Sequence, residues 1–159
     1  MLSQNARIAD RLTIRKVDRG TDLAAALLQF VEACSWTDVK EHIAQMLRSW
    51  EFTEWETMFA ACLDGRIIGM ASVMKTDYYP LPEIFPWVSC IFVSEAYRGS
   101  RISGAMIDFA NRYLKEQGFS KSYIPSEYTG LYERYGYRYF RDIVNYGGGV
   151  DHLFVKEFD

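Results

Sequence analysis

The chain has little with which to hold a metal or form a cross-link. Its three cysteines, Cys34, Cys62 and Cys90, lie far apart, form no C-x-x-C pair and cannot all pair within one chain; only two histidines, His42 and His152, accompany them. No zinc ligand set and no disulfide framework is readable, which fits a reducing compartment. No stretch approaches the roughly 20 apolar residues a membrane span needs, and Met1-Leu2-Ser3-Gln4-Asn5-Ala6-Arg7 sets polar residues ahead of any apolar run, so no secretory segment or membrane partner is expected. The expectation is a soluble, cytoplasmic protein. Net charge is scarce too: 18 basic against 21 acidic side chains leave −3, and nothing draws such a chain to a nucleic-acid backbone. There is no internal repeat and no long linker, so residues 1–159 are expected to form a single domain burying roughly 70% of the surface of its unfolded chain. Rings, in contrast, are plentiful. Four tryptophans, 11 tyrosines and 10 phenylalanines make 16% of the chain aromatic, far more ring surface than a disordered chain carries.

Periodicity orders the chain into elements. Residues Arg11 to Val17 read as a first strand, broken by Asp18-Arg19-Gly20. Thr21 or Asp22 can cap a helix through Leu23, Leu27, Leu28 and Val31, and a second helix runs from Thr37 to Trp50. Glu56 to Leu63 and Arg66 to Lys75 are two strands joined by Asp64-Gly65, a pair suited to a tight hairpin turn. Tyr78 to Trp87 holds three of the four prolines among four rings; it reads as a stiff aromatic loop that either lids the core or walls a ligand pocket. Val88 to Val93 suits a buried central strand, Arg101 to Gln117 an amphipathic helix closed by Gly118, and Phe119 to Ile124 another strand. A short helix from Thr129 to Tyr135, stopped by Gly136, precedes two terminal strands, Tyr137 to Val144 and Val150 to Phe158.

Chemistry concentrates in the strand–turn–helix from Val88 to Leu114. A helix start offers unpaired amides and partial positive charge, Gly99 lets backbone approach an anion, and Arg98 and Arg101 flank the turn. A phosphate site or a solvated basic turn would each look like this. The run Ile91-Phe92-Val93-Ser94-Glu95-Ala96-Tyr97-Arg98-Gly99-Ser100-Arg101-Ile102-Ser103 resembles the acyl-CoA motif of the GNAT superfamily of N-acyltransferases, in which a strand leads into R/Q-x-x-G-x-G/A and a helix. A second signature, Tyr-x-x-hydrophobic-Gly-aromatic, is matched at Tyr132-Glu133-Arg134-Tyr135-Gly136-Tyr137, and the element order agrees over nearly the full chain. The resemblance implies an α/β (α+β) fold: a mixed, mostly antiparallel central sheet flanked by helices, with splayed central strands. It implies acetyl-CoA as co-substrate without a metal, its pantetheine arm beside Ile91, Phe92 and Val93 and its pyrophosphate on amides from Arg98, Gly99, Ser100, Arg101, Ile102 and Ser103. Arg101 and Ser103 replace the two motif glycines. A Cβ at Arg101 resists a left-handed backbone, so the loop is expected either to be right-handed there or to hold the pyrophosphate differently, whereas the Ser103 hydroxyl can add a phosphate bond.

An ammonium with pKa near 10.4 is deprotonated to only about 4 parts in 10,000 at pH 7, so an amine acceptor needs a base or a water relay before it attacks a thioester. Glu83 and Glu127 are candidates, Glu83 with its pKa raised by Tyr79, Phe85 and Trp87. The family frequently gives the acid that protonates the departing thiolate to the tyrosine of the second signature, here Tyr132, and a free amide at Ile91 or nearby suits an oxyanion. Cys90, His42 and His152 read as structural. The expected activity is direct acetyl transfer from acetyl-CoA to a small-molecule amine, and Glu83, Asp77 and the aromatic loop favour a cationic or apolar acceptor over an acidic one. The alternative is a noncatalytic module of the same fold that binds CoA or a protein partner. Neither this choice nor that between monomer and homodimer is fixed by the sequence.

Overall fold

A computed structural model of the protein describes residues 4–159. At its centre is the expected hairpin: strands β2 (Thr57–Leu63) and β3 (Arg66–Met74) join through Asp64 and Gly65, both at positive φ, as a tight turn between twisted strands requires. Strand β1 (Leu12–Lys16) pairs antiparallel with β2, and β4 (Trp87–Val93) antiparallel with β3. On the other side stand β5 (Lys121–Ser126), β7 (Val150–Glu157) and β6 (Arg138–Val144), giving one seven-stranded sheet in the order β1-β2-β3-β4-β5-β7-β6. Among the described residues only the β4–β5 pair is parallel.

Helices cover both faces, which is why β2 is buried along its whole length and apolar after Thr57 instead of alternating. Helices α2 (Asp22–Ala33) and α3 (Thr37–Ser49) pack on Met58, Ala60 and Cys62, whereas α1 (Gln4–Arg11) and α4 (Ile102–Glu116) pack on the opposite face, on Phe59, Ala61 and Leu63. Thr21, not Asp22, caps α2, its hydroxyl accepting from the Ala24 amide at 3.2 Å.

Several expectations are corrected. Helix α1 has no counterpart in the sequence reading, because among its described side chains Ile8 alone is buried; it takes Arg11, and β1 begins at Leu12. The helix expected over 129–135 is a single 3-10 turn, Glu133–Tyr135, closed by Gly136 at φ 91°. Strand β5 begins two residues later than expected and runs through Pro125 to Ser126.

The two halves of the sheet meet at one rung. β4 and β5 pair only at Trp87 and Tyr123, where the Tyr123 amide donates to the Pro86 carbonyl at 3.0 Å. The next β5 amide pointing the same way would belong to residue 125, a proline, so the ladder has no donor with which to continue. β4 turns away as well: its register against β3 shifts between Ser89 and Phe92, with Cys90 held at φ 53°, a bulge that bends the strand. The strands splay as expected, and from Cys90 onward β4 is not paired with β5.

Candidate active site

The α4 end of the gap presents a helix start with uncapped amides. Arg101, the N-cap residue of α4, lies left-handed at φ 62° and ψ 23°, and no side chain caps the helix, so the amides of Ile102, Ser103 and Gly104 open onto the turn. This corrects the expectation about Arg101: its Cβ costs the left-handed backbone about 1–2 kcal/mol without preventing it, so a non-glycine residue holds the conformation a glycine would favour. A cavity of about 600 Å³ opens here between Arg101, Gly104, Ala105 and Asp108 of α4 and Arg134 and Tyr135 beyond β5. A second, of about 630 Å³, lies across Arg101 under α1 and β1. Tyr135 lies against α4, its hydroxyl 3.3 Å from Ser103 Oγ; a Cβ on Gly104 would come within 2.6 Å of its ring. Sequence reasoning missed Gly104 and Arg134. The first could have been found as a glycine within the first turn of an amphipathic helix; the second as the cation inside the second signature.

Arg98 turns the other way. Its Nε donates to the Val93 carbonyl at 2.9 Å, its guanidinium sits 5.3 Å from the centre of the Phe92 ring, and Glu95 lies 3.7 Å away. It closes the turn between β4 and α4 and leaves the helix start to Arg101. Glu95 also accepts from the Ser35 hydroxyl, which holds its carboxyl below the usual range. Gly99 lies in this turn at φ 84°, with Ser100 between it and Arg101. Along β4, Phe92 is buried between Phe30 and Trp36 on the α2–α3 face, whereas Ile91 and Val93 pack on the α4 side.

Tyr132 packs against Tyr137 and Phe154, with ring centres 6.5 and 6.4 Å apart, and burial pushes its phenol up, so it is protonated at neutral pH. Tyr137 is fixed by a buried network in which its hydroxyl meets Ser122 Oγ at 2.6 Å and Asn111 Nδ2 at 3.0 Å. The phenol therefore stands on a rigid base formed by α4, β5 and the turn.

The carboxylates are arranged differently from the sequence reading. Glu83 is 61% exposed and faces Arg141 at 3.7 Å, and the rings expected to bury it are engaged elsewhere. Tyr79 stacks on Trp87 at 5.4 Å, and Phe85 meets Phe119 edge-on. Glu127 is exposed. A carboxyl shielded from solvent is that of the half-buried Asp77, just past β3. Its Oδ1 accepts from the Tyr78 amide at 2.6 Å, and its Oδ2 is buried with no hydrogen-bond partner. Burial raises its pKa, opposed by Ser89 and by His42 of α3 and reinforced by Asp151. Asp151 accepts from the Tyr79 hydroxyl at 2.7 Å and from Asn145 at 3.2 Å. Cys90, beside Asp77, has its thiol pushed up to about 12 by burial and by that carboxylate, so it is no nucleophile. Among the described residues no group of His, Cys, Asp and Glu could hold a metal.

The acetyltransferase (GNAT) family profile matches residues 23–137, from α2 to the turn after β5. The chain belongs to the GNAT acetyltransferase family. No curated protein matches it in sequence. Among solved structures it resembles an aminoglycoside 6′-N-acetyltransferase complexed with coenzyme A, with a TM-score of 0.68 and 14% identity over 91% of this chain and 96% of the other. A GNAT family acetyltransferase from Elizabethkingia anophelis with acetyl-CoA bound gives a TM-score of 0.62 and 21% identity over 94% and 99% of the two chains. One of the GNAT family from Streptococcus pneumoniae gives 0.66 and 16% over 92% and 99%.

Proposed function

We propose that residues 1–159 form one catalytic domain that transfers an acetyl group from acetyl-CoA directly to the nitrogen of a small-molecule amine. The observation that carries this is the single rung between β4 and β5 beside an uncapped helix start, which leaves open strand backbone leading to an anion site. The residues fit the co-substrate: the backbone from Ile91 to Val93 would bond the pantetheine arm as an added strand does, and the turn from Arg98 through Gly99 and Ser100, with the Ile102 and Ser103 amides, would take the pyrophosphate. Arg101 and Arg134 would add charge from either side of the cavity. Bound there, acetyl-CoA supplies an activated acyl thioester. Tyr132, kept protonated by burial, would donate its proton to the departing sulfur. The CoA-bound and acetyl-CoA-bound neighbours of similar fold support the same reading. Three free thiols accord with a reducing, cytoplasmic setting.

Titration with acetyl-CoA should raise the thermal midpoint, and an amine panel should release thiol. No stabilisation at millimolar acetyl-CoA would sink the proposal, and binding without thiol release from any amine would make the chain a CoA-binding module instead. Tyr132→Phe should lower kcat at least tenfold with acetyl-CoA affinity nearly unchanged; an unaltered kcat removes Tyr132 from the acid role.

A further inference from the structure

We propose that Asp77 holds the acceptor's ammonium and takes its proton, in a pocket whose two carboxylates, Asp77 and Asp151, select a cationic amine over an anionic one. The proposal rests on the acetyl-transfer reading above, adds to it the identity of the base and narrows the expected cationic or apolar acceptor to a cationic one.

Three placements support it. First, Asp77 Oδ2 is a buried acceptor atom with no hydrogen-bond partner in reach, the Ser89 hydroxyl being the side-chain donor beside the carboxyl; an ammonium N–H would satisfy it. Second, Asp77 neighbours Ser89 and Cys90 at the bulge where β4 leaves β5. Cys90 belongs to the α2–α3 face, whereas the anion site at the start of α4 belongs to the opposite face. An amine arriving past α3 and a thioester arriving from α4 would therefore meet in the gap of the sheet, with Asp77 on the amine's side. Third, the surroundings are acidic and walled by rings. Asp151 is held by Tyr79 and Asn145, Glu127 adds its field to Tyr79, and Tyr78 packs on Tyr146 of the β6–β7 loop, ring centres 5.7 Å apart. The loop is tied down where the Tyr146 amide donates to the Tyr78 carbonyl at 3.2 Å. The proline-rich segment is thus held against the last hairpin on the side of the gap where Asp77 lies.

The step balances. The ammonium gives a proton to Asp77 Oδ2, and the freed nitrogen forms the bond to the acyl carbon. The carbon–sulfur bond breaks with its electron pair on sulfur, and sulfur takes the Tyr132 proton. The amide nitrogen's remaining excess proton returns the phenol through solvent, and Asp77 releases its own to water.

The test uses three probes of equal length, 1,4-diaminobutane, butylamine and 4-aminobutanoate, titrated calorimetrically without acetyl-CoA and then assayed with it. Binding and kcat/KM should fall in that order, at least tenfold from first to last. Asp77→Asn should lower kcat/KM for the diamine by 100-fold or more, weaken its binding about tenfold and leave stabilisation by acetyl-CoA as in the wild type. The acid limb of the wild-type kcat/KM profile, set by Asp77 in the presence of Asp151, His42, Cys90 and Tyr79, should vanish in this variant. Asp151→Asn should weaken the diamine but not butylamine. Equal binding of 4-aminobutanoate and the diamine, or an Asp77→Asn variant with wild-type kcat/KM and acid limb, overturns the proposal. A wild type that binds the amines but not acetyl-CoA defeats the acetyl-transfer reading instead and leaves the cation pocket standing.

Discussion

At Asp77, burial holds the carboxyl above the usual carboxylate range, so the folded chain retains a proton there that the unfolded chain has already lost. The penalty is absent below the unfolded pKa, grows as pH rises toward the folded value and is constant beyond it. Asp77→Asn should therefore leave stability unchanged near pH 3 and raise the thermal midpoint at pH 7; a midpoint that falls at pH 7 would show that the carboxylate is stabilised instead. Tyr137 is the opposite case, a polar group fully used by its neighbours. Tyr137→Phe strands the Asn111 Nδ2 donor while Ser122 keeps its 2.7 Å bond to Asn111 Oδ1, and it should cost about 1–3 kcal/mol in urea unfolding. These environments were unevenly legible. Tyr132 could be picked out because it stands at a fixed offset from Gly136, whereas Asp77 was legible only as an acid that favours a cationic or apolar acceptor, and its buried second oxygen was not. Glu83 carried the right neighbours in sequence and the wrong ones in space, because rings adjacent along a stiff loop pack inward on Trp87 and Phe119 while the carboxylate between them swings out to Arg141.

Element boundaries follow the same division between local and distant causes. The β2–β3 hairpin is written in Asp64-Gly65, the end of α4 in Gly118 at φ 99°, and the cap of α2 in Thr21, because each depends on a few consecutive residues. Helix α1 depends on Ile8 finding Ala61 and Ile102 across the fold, so its own eight residues carry little signal. The start of α4 is a third kind of case: the pattern located it, and the residue type at its cap argued against the backbone it adopts. Arg101→Gly should relieve about 1–2 kcal/mol of left-handed strain against about 0.5–1 kcal/mol of added unfolded-chain entropy, so stability should rise slightly. Acetyl-CoA should at the same time bind several-fold more weakly through the lost guanidinium, measured as Kd by calorimetry. Tighter binding by the glycine variant would mean that Arg101 blocks the helix start instead of serving it.

On the scale of the whole molecule, the net charge of −3 is an average over two unlike faces. Arg101, Arg134 and the helix start make the α4 side receptive to a polyanion, while Asp77, Asp151 and Glu127 make the other side receptive to a cation. The elements follow from hydrophobic patterning and the sheet architecture from the family resemblance, but this polarity across the sheet does not, since it arises from residues spread between positions 77 and 151 and brought to one gap. The single rung at Trp87 and Tyr123 has a mechanical meaning as well. Strands β1 to β4 form one stiff plate and β5, β7 and β6 another, and between them the sheet's own hydrogen bonding is nearly interrupted, with α4 spanning the seam. Such a seam is the soft direction of the molecule, and a ligand lying along β4 would act as a missing strand that couples the plates. Amide hydrogen exchange around residues 87–93 and 121–126 should slow together on saturation with acetyl-CoA, while exchange within the β2–β3 hairpin stays unchanged. The substrate would then double as a structural member of the sheet, withdrawn and replaced at every turnover.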